Sequence, residues 1–227
     1  MSLVYHGLRA PVRWLFRALT DLEVQGLEHI PDTGPFFLLP NHQSALDPLL
    51  IQSICPRKVC AMTKSTQFAH PAFRVALSTL GAFPVRRYRV DPQAVRVLLR
   101  ILDRGGGVCV YPEGERTWDG TLQPFRRGTL RVVLRAGVPI IPVGVSGTYD
   151  LLPRWLHRPR SGVRLTLRFG EPIHFGAVRD RTERERLLPQ AERRVTREVA
   201  RLAGVPISPE ALARLEGQST SSGSSNP

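Results

Sequence analysis

The strongest constraint on the fold is a short apolar run that leads through a polar segment into a second apolar segment. Residues 36–39 (FFLL) have the length and composition of a buried strand, and residues 48–54 those of a helix that ends before Pro56. Residues 41–47 (NHQSALD) therefore occupy a strand-to-helix turn, where polar side chains project into a cleft. This unit predicts a fold in which strands alternate with helices.

Further apolar runs and amphipathic segments continue the alternation. Residues 138–145 contain two prolines, which predicts an edge strand or an irregular turn entering a strand, and Pro189 is expected to break the last helix. We predict a single α/β domain in which helices flank a mixed, largely parallel central sheet. The predicted strands are residues 22–26, 36–39, 58–62, 108–111 and 163–169, and the predicted helices are residues 48–54, 71–80, 92–104, 124–135 and 181–203.

His42 and Asp47 form a candidate acid–base pair within the turn. A histidine oriented by a nearby carboxylate is a common general base. A structural role is the alternative, because Ser44 and Asp47 fit a capping box, and Asp47 followed by Pro48 fits a helix N-cap with proline in the first helical position. The two roles are compatible, since a capped helix also holds the histidine in place.

The chain is strongly basic, with a formal net charge of +13 and a pI near 11.1. This charge indicates an anionic partner: nucleic acid, a phosphorylated substrate or an anionic membrane surface. We expect no nucleic-acid partner, because only 7% of residues are aromatic and no recognition motif is present. The three cysteines lack the spacing of a metal site, so we expect no metal centre and a reduced, cytoplasmic compartment.

Residues 1–20 are predicted to form an amphipathic helix at a membrane surface. Arg9, Arg13 and Arg17 recur every four residues, with aromatic and aliphatic residues between them. An ordinary surface helix that covers the core is the alternative, and Pro11 is expected to kink it or to start a second segment. The arginines interrupt any signal-peptide core, and no run reaches the roughly 18 apolar residues of a membrane span, so we expect neither secretion nor spanning.

Composition divides the remainder of the chain into two parts. Residues 21–205 contain all the predicted strands and are assigned to the main domain. Residues 206–227 are assigned to a C-terminal tail. The tail is expected to be disordered from about residue 217, because that end is rich in serine and glycine.

Two further stretches place charged residues beside turns or predicted strand ends. Residues 81–87 (GAFPVRR) end in paired arginines that suit a phosphate, although a solvated charge pair is the alternative. Residues 112–117 (PEGERT) follow a predicted strand, at the end where ligands collect in α/β sheets. Gly114 in this loop allows backbone amides to approach an anion closely.

Four stretches, in this order, resemble the glycerophospholipid acyltransferase family, specifically its 1-acyl-glycerol-3-phosphate acyltransferases. Residues 41–47 match the N-H-x4-D signature, and residues 81–87 resemble the second block, whose closing arginine falls on Arg87. Residues 111–117 (YPEGERT) resemble the third block, F-P-E-G-[ST]-R-S, and residues 138–143 (VPIIPV) resemble the fourth. The resemblance identifies residues 21–205 as an acyltransferase domain.

The resemblance implies transfer of a fatty acyl group from an acyl thioester, either acyl-CoA or acyl-carrier protein, to the free hydroxyl of 1-acyl-glycerol-3-phosphate. The product is phosphatidic acid. It implies His42 as the general base that removes the hydroxyl proton and Asp47 as the carboxylate that orients it. No further cofactor is expected, because a thioester is already activated. Direct attack by the acceptor is expected, since Ser44 lacks the nucleophile elbow of an acyl-enzyme route.

The resemblance also implies a set of substrate-binding residues. Arg87 and Arg116 are expected to bind the glycerol phosphate, and Gly114 to offer its backbone N–H. Glu113 is expected to brace an arginine or to accept a hydrogen bond from a hydroxyl. Lys64 is expected to stabilise the oxyanion that forms on the thioester carbonyl.

The expected partners are a lysophospholipid acceptor, an acyl thioester donor and an anionic membrane surface. The expected location is cytoplasmic and peripheral, on the inner face of the cell membrane, because a two-chain lipid product resides in a bilayer. Tyr111 and Glu115 depart from the third block, which has Phe and Thr or Ser there. Glu115 adds negative charge near the expected phosphate, so another lysophospholipid or a glycolipid acceptor is an alternative. A non-catalytic basic protein that binds lipid or nucleic acid is a second alternative, which the His42–Asp47 pair disfavours.

Overall fold

The computed structural model describes residues 2–86 and 91–217. Within these residues, the strands are β1 (Thr20–Gln25), β2 (Phe36–Pro40), β3 (Val59–Lys64), β4 (Phe83–Val85), β5 (Gly107–Cys109), β6 (Ile140–Ser146) and β7 (Val163–Phe169). They form one seven-stranded sheet in the order β1-β7-β6-β2-β5-β3-β4. Arg87, one of the predicted site residues, lies outside the described residues.

Helices connect and cover the strands. The α-helices among the described residues are α1 (Ser2–Leu19), α2 (Asp47–Ile54), α3 (Pro71–Thr79), α4 (Pro92–Asp103), α5 (Arg127–Ala136), α6 (Thr148–Leu151), α7 (Arg181–Ala203) and α8 (Pro209–Leu215). Two short 3₁₀-helices, Leu27–His29 and Ser65–Phe68, follow β1 and β3. Each predicted strand and helix is present, most of them with shifted ends, and β4, α6 and α8 are additional.

Strand direction decides which chain segments meet at the site. The neighbours β6, β2, β5, β3 and β4 are parallel to one another, whereas β7 is antiparallel to β6 and parallel to β1. The mixed, largely parallel sheet with flanking helices confirms the predicted fold class. We call the edge at which β2 ends the upper edge. The first residues of β1 and β7 lie at this edge too, because these two strands run opposite to β2.

Strand β2 lies at the centre of the core, which explains its unbroken apolar run. Phe36 and Leu38 belong to the hydrophobic cluster on the side of α2, whereas Phe37 and Leu39 belong to the cluster on the side of α4, α5 and α7. All four side chains are fully buried. A parallel strand that is covered on both faces has no solvent-exposed side, so its sequence is a continuous run of hydrophobic residues.

Strand β6 is a central strand between β7 and β2, so the edge-strand alternative is wrong, whereas Pro139 lies in the irregular segment that enters the strand, as the other alternative predicted. Proline has no N–H for a sheet ladder. The Pro142 carbonyl accepts the Gly170 N–H at 2.8 Å, and regular pairing of β6 with β7 begins only at Val143 and Phe169. The N and O atoms of one strand residue point to the same neighbouring strand, so the Pro142 nitrogen faces β7. Pro142 precedes the first regular β6–β7 pair, so its missing N–H removes no hydrogen bond from the regular ladder.

Helix α7 runs unbroken through Pro189, contrary to the expected break. Proline inside a helix costs about 3 kcal/mol. The same helix buries Leu188, Val195 and Val199 in the cluster beside α5. Each such side chain contributes roughly 1.5–3 kcal/mol on burial, so tertiary packing outweighs the local preference.

Helix α1 is also continuous through Pro11, and the expected second segment is not formed. Its Phe16 is buried and Val12 packs against the cluster beside α2. The Arg9 guanidinium donates to the Cys55 carbonyl at the end of α2. One side of α1 therefore covers the core, and its other sides are available to a second surface.

The predicted tail begins with ordered structure that packs on the domain. Ile207 pairs with Leu122, and the Ser208 hydroxyl accepts the Ala211 N–H at 3.3 Å to cap α8. Ala211 and Leu215 of this helix are buried. Residues 218–227, predicted to be disordered, lie outside the described residues.

Candidate active site

The turn after β2 is anchored to the next strand by Asn41. Its side-chain amide donates to the Val145 carbonyl and its oxygen accepts the Val145 N–H, both at 2.8 Å. Asn41 is buried, and this pair of bonds continues the β2–β6 pairing beyond the end of β2. The following residue is therefore held at the upper edge of the sheet. Sequence reasoning assigned no role to Asn41.

His42 and Asp47 meet as predicted. The His42 Nδ1 atom lies 2.8 Å from Asp47 Oδ2, and the aspartate is fully buried. Asp47 Oδ2 also accepts the backbone N–H groups of Gln43 and Ser44, at 2.7 and 2.8 Å. A carboxylate beside Nδ1 favours the tautomer that carries its proton there, so the lone pair of the imidazole is on Nε2.

The helix after the turn is not capped as the sequence predicted. Its N-cap residue is Leu46 and makes no side-chain cap, and Asp47 is already the first residue of α2. The Ser44 hydroxyl donates to the Leu152 carbonyl at 2.8 Å. The Ser44 hydroxyl also accepts the Leu46 N–H at 3.3 Å, not the Asp47 N–H, whereas Asp47 accepts the Ser44 N–H, so only one half of the predicted capping box forms. Asp47 stabilises the turn through backbone amides that precede the helix.

The Tyr111 ring packs against one face of the His42 imidazole and fixes its plane. The two rings are stacked, with their centroids 3.9 Å apart and their planes at 27°. Tyr111 is buried and follows β5, the neighbour of β2. An aromatic face beside a histidine also stabilises the protonated imidazolium. Sequence reasoning noted Tyr111 only as a departure from the third block.

Glu113 braces the histidine backbone. Its Oε1 atom accepts the His42 N–H at 2.6 Å and its Oε2 atom accepts the Gln123 N–H at 2.8 Å. Burial raises the pKa of Glu113 to about 8, against the opposing effect of the two amide hydrogen bonds. The side chain is thus engaged with backbone amides rather than with an arginine. Its position links the loop of residues 112–117 to the turn that carries His42.

Gly114 permits the close approach of an arginine to this loop. Its φ angle is +80°, and a Cβ atom there would lie 2.0 Å from Arg126 Nε. Arg126 Nε donates to the Glu113 carbonyl at 3.0 Å. Any larger residue at position 114 would displace this guanidinium, so glycine is required by space as well as by backbone conformation.

A cavity of about 680 Å³ opens beside the histidine, between the sheet and helices α4 and α5. His42, Tyr111 and Gly114 line one part of it. The apolar residues that line the rest are Phe37, Met62, Val85, Ala94, Val95, Leu98, Val110, Val132 and Val133. We call this space the His42 cavity. It combines a candidate base with an interior suited to a hydrocarbon chain.

Four arginines among the described residues line the same cavity. They are Arg86, Arg126, Arg127 and Arg214. Arg127 is exposed at the first position of α5, where the helix dipole also favours an anion. Sequence analysis proposed Arg86, as part of the pair with Arg87, but missed the other three arginines. The detectable signal was the pair Arg126-Arg127 immediately before a predicted amphipathic helix and shortly after the PEGERT loop.

Two predicted site residues lie near the cavity without lining it. Lys64 is exposed at the end of β3, and Arg116 is partly buried with its carbonyl accepting Arg154 Nη1 at 3.1 Å. Neither is among the described residues that line the His42 cavity. Glu115 lies 3.6 Å from Arg126 Nη2 and 3.8 Å from Arg154 Nη1. The negative charge of Glu115 therefore lies beside two arginines, Arg126 and Arg154.

Two general properties of the described residues bear on the chemistry. Among residues 2–86 and 91–217, no group of three or more His, Cys, Asp or Glu side chains is placed to hold a metal ion. No helix in this described part of the chain is long and apolar enough to cross a membrane. The arrangement instead offers a buried base, an apolar interior and an arginine-lined margin.

Comparison with known sequences identifies relatives of this chain. The chain is 31% identical over 136 residues to the chloroplastic 1-acyl-sn-glycerol-3-phosphate acyltransferase BAT2 of Brassica napus, covering 58% of this chain and 39% of that protein. It is 30% identical over 156 residues to 1-acyl-sn-glycerol-3-phosphate acyltransferase alpha of Mus musculus, covering 67% of this chain and 54% of that protein. The chain thus spans about two fifths to about half of the length of these curated relatives.

Comparison with solved structures supports the fold. The crystal structure of the 1-acyl-sn-glycerophosphate (LPA) acyltransferase PlsC from Thermotoga maritima matches with a TM-score of 0.72 and 27% sequence identity. The match covers 87% of this chain and 79% of that chain. A family model described as acyltransferase matches residues 21–146, more than half of the chain. With the family model and the solved fold in agreement, the chain belongs to the acyltransferase family.

Proposed function

We propose that the chain transfers a fatty acyl group from an acyl thioester to the free hydroxyl of 1-acyl-glycerol-3-phosphate and so forms phosphatidic acid. The observation that carries this proposal is the buried His42–Asp47 pair at an apolar cavity with arginines at its margin. The names of the relatives support the same substrate class. The donor is acyl-CoA or acyl-carrier protein, and the reaction uses no further cofactor.

In the proposed reaction, His42 Nε2 takes the proton of the acceptor hydroxyl as its oxygen attacks the thioester carbonyl. The new carbon–oxygen bond forms, the carbon–sulfur bond then breaks, and the imidazolium returns its proton to the leaving thiolate. Asp47 stabilises the imidazolium through Nδ1, and the Tyr111 ring faces it. Glu113 holds the His42 backbone, so that the ring keeps its position through the cycle. General acid–base catalysis of this kind contributes roughly 10²–10⁴-fold.

The apolar part of the His42 cavity is assigned to an acyl chain. Leu98 and Val133 are buried in the domain core and still line this space, so the chain would contact the core itself. Each buried methylene contributes about 0.8 kcal/mol. An acyl chain that fills this apolar space ends beside His42, so its ester or thioester carbon lies near the imidazole.

The acceptor phosphate is assigned to Arg126 and Arg127 beside the first turn of α5, with Arg86 on the same cavity. Guanidinium groups bind phosphate through charge-assisted, bidentate hydrogen bonds. A role for Arg87, which follows Arg86 in sequence, stays a prediction. Lys64 and Arg116 are proposed to act from outside the cavity lining, at the same edge of the sheet.

Replacing Arg127 by alanine is expected to raise the KM for lysophosphatidate about tenfold while kcat changes little, because one charged contact to the phosphate is lost. The donor should be a phosphate-free acyl thioester of pantetheine, so that only the acceptor carries phosphate. Arg135→Ala is the matched control, since Arg135 is exposed in the last turn of the same helix. An unchanged acceptor KM in Arg127→Ala would remove this residue from the site.

The proposed function is tested by an acceptor panel with purified protein, in which thiol release from acyl-CoA is measured. We expect release with lysophosphatidate, less with lysophosphatidylcholine and little with monoacylglycerol. Release with none of the lysophospholipids would reject the proposal.

Glu115 is the one observation that favours a different acceptor, because it lies beside Arg126 and competes with a phosphate for it. The same panel should therefore include Glu115→Ser. This variant is expected to lower the KM for lysophosphatidate a few-fold by relieving that competition. A preference of the unaltered protein for a glycolipid precursor over lysophosphatidate would select the alternative.

The acceptor and product are lipids, so we propose that the chain acts as a peripheral protein on the anionic inner face of the cell membrane. Helix α1 supports this, because Trp14 and Leu15 are exposed together with Arg13 and Arg17. Exposed aromatic, aliphatic and basic residues on one helix are typical of interfacial helices. Basic residues near an anionic leaflet each contribute about 1 kcal/mol, which suits a chain of net charge +13.

A further inference from the structure

All three tryptophans of the chain are exposed to solvent. The exposed fraction of each residue is 70% (Trp14), 63% (Trp118) and 54% (Trp155). Tryptophan is usually highly buried, because it carries a large apolar surface. Exposure of all three indicates that they contact something other than this chain.

The sheet topology brings the three tryptophans to the upper edge. Trp14 lies in the last two turns of α1, which leads directly into the first residue of β1 at that edge. Trp118 follows Thr117, whose N–H donates to the His42 carbonyl at 2.8 Å. Trp155 lies in the connection from α6 to β7, and the Gly162 N–H at the end of this connection donates to the Leu19 carbonyl at 3.1 Å. The edge that carries His42 therefore also carries every tryptophan.

Trp118 and Trp155 are held in place rather than loosely exposed. The Arg154 guanidinium lies 3.4 Å from the centre of the Trp118 ring. The Tyr149 hydroxyl donates to the Trp118 carbonyl at 2.9 Å, and the Tyr149 ring meets the Trp155 ring edge to face at 5.7 Å. These contacts fix the two indoles and leave much of their surface uncovered.

The connection that carries Trp155, residues 152–162, contains three arginines and no acidic residue, although one of the three, Arg154, also lies 3.8 Å from Glu115. Arg158 and Arg160 are exposed within the connection that carries Trp155, and Arg154 lies against Trp118. The exposed acidic residues nearest in sequence are Asp119 and Asp150. Indole rings favour the headgroup level of a bilayer, and arginines favour anionic lipid phosphates.

We propose that Trp118 and Trp155, together with Arg158 and Arg160, form a second lipid-contacting surface that docks on an anionic bilayer beside α1. The proposal rests on the proposed function, which places the acceptor in that bilayer. Helix α1 and this second surface both contact the membrane, so the upper edge of the sheet faces the membrane. The His42 turn then faces the lipid phase from which the acceptor arrives.

Intrinsic fluorescence tests this directly, because the chain has three tryptophans in all. Three double variants, each with two tryptophans changed to phenylalanine, leave Trp14, Trp118 or Trp155 as the sole emitter. Vesicles of phosphatidylcholine and phosphatidylglycerol with brominated acyl chains should shift the emission of each remaining tryptophan to the blue and quench it. Quenching of Trp14 alone would overturn the proposal, since α1 would then be the whole contact.

Binding to the same vesicles without brominated lipid gives a second measure. We expect Trp118→Ala with Trp155→Ala to weaken binding at least about tenfold, and Phe replacements to weaken it less. Arg158→Ala with Arg160→Ala should weaken it by about 30-fold. The matched charge control is Arg194→Ala with Arg197→Ala, in a groove beside the ends of β1 and β7, at the opposite edge. Equal losses in both arginine pairs would indicate attraction by net charge alone and overturn the proposal.

Activity on a short-chain, water-soluble lysophosphatidate in the absence of vesicles separates this proposal from the proposed function. The tryptophan variants should keep that activity within about twofold of the unaltered protein, and their circular dichroism should be unchanged. If the unaltered protein showed no such activity but its Trp118 and Trp155 were still quenched by lipid, the proposed function would fail and the lipid contact would stand. If activity were normal and neither was quenched, the lipid contact would fail.

Discussion

Replacing His42 by alanine is expected to lower kcat for acyl transfer by about 10²–10⁴-fold. The residue places its Nε2 lone pair at the His42 cavity, because Nδ1 is held by Asp47. Without this base, the acceptor hydroxyl would have to attack while it still carries its proton. The measurement is thiol release from acyl-CoA at saturating lysophosphatidate, with thermal unfolding recorded in parallel.

The control for His42→Ala is His174→Ala, which changes an exposed histidine away from the cavity lining. Ser44→Ala adds a mechanistic control. The Ser44 hydroxyl donates to the Leu152 carbonyl, so its loss should reduce activity far less than loss of His42. Activity of His42→Ala within tenfold of the unaltered protein, or a trapped acyl group on Ser44, would reject the assignment of His42 as the base.

Replacing Asp47 by asparagine is expected to lower kcat at least about 100-fold. An asparagine NH₂ facing Nδ1 favours the opposite tautomer, which puts the imidazole proton on Nε2 and removes the lone pair that the acceptor requires. A single carboxylate oxygen, Oδ2, accepts from His42 Nδ1 and from two backbone N–H groups at 2.7 and 2.8 Å. In that orientation the NH₂ group also takes the place of the oxygen that accepts the two backbone N–H groups, so both charge-assisted bonds are lost.

The same substitution should also lower the free energy of unfolding, by about 1–3 kcal/mol, because Asp47 is fully buried. The two effects are separated by measuring kcat at a temperature where denaturant titration shows the variant to be folded. Glu192→Gln is a suitable stability control, since Glu192 is a buried carboxylate of α7 that does not line the His42 cavity. If folded Asp47→Asn retained more than a tenth of the activity, the orienting role of Asp47 would be wrong.

The predictions that held depend on short-range patterns. His42 and Asp47 are five residues apart in a turn between an apolar strand and a helix, and they meet at 2.8 Å. The strand β7 and the helix α7 have the bounds that their periodicity predicts. In each case the information lies within a window of a few turns, where side-chain period and turn chemistry act directly.

The predictions that failed involve competition between local preference and tertiary packing. An edge strand was one of the two alternatives for the segment of Pro142, and a break was expected at Pro189, but these prolines lie in a central strand and a continuous helix. Proline removes a donor locally, but its cost is offset where the ladder has ended or where apolar neighbours are buried. The serine half of the capping box is absent for a related reason, since the Ser44 hydroxyl donates to a loop more than a hundred residues away in the chain.

The amino-acid sequence by itself determined the alternating fold class, the turn that pairs His42 with Asp47, and the basic, lipid-compatible character of the chain. Only the tertiary structure decided that Glu113, 71 residues from His42, holds the histidine backbone, and that Tyr111 stacks on its ring. It also decided that Arg126 and Arg127 line the cavity and that three distant tryptophans share the edge with His42. The physical reason is strand order: β2 lies between β5 and β6, so residues far apart in sequence meet at its end, and no local pattern encodes that order.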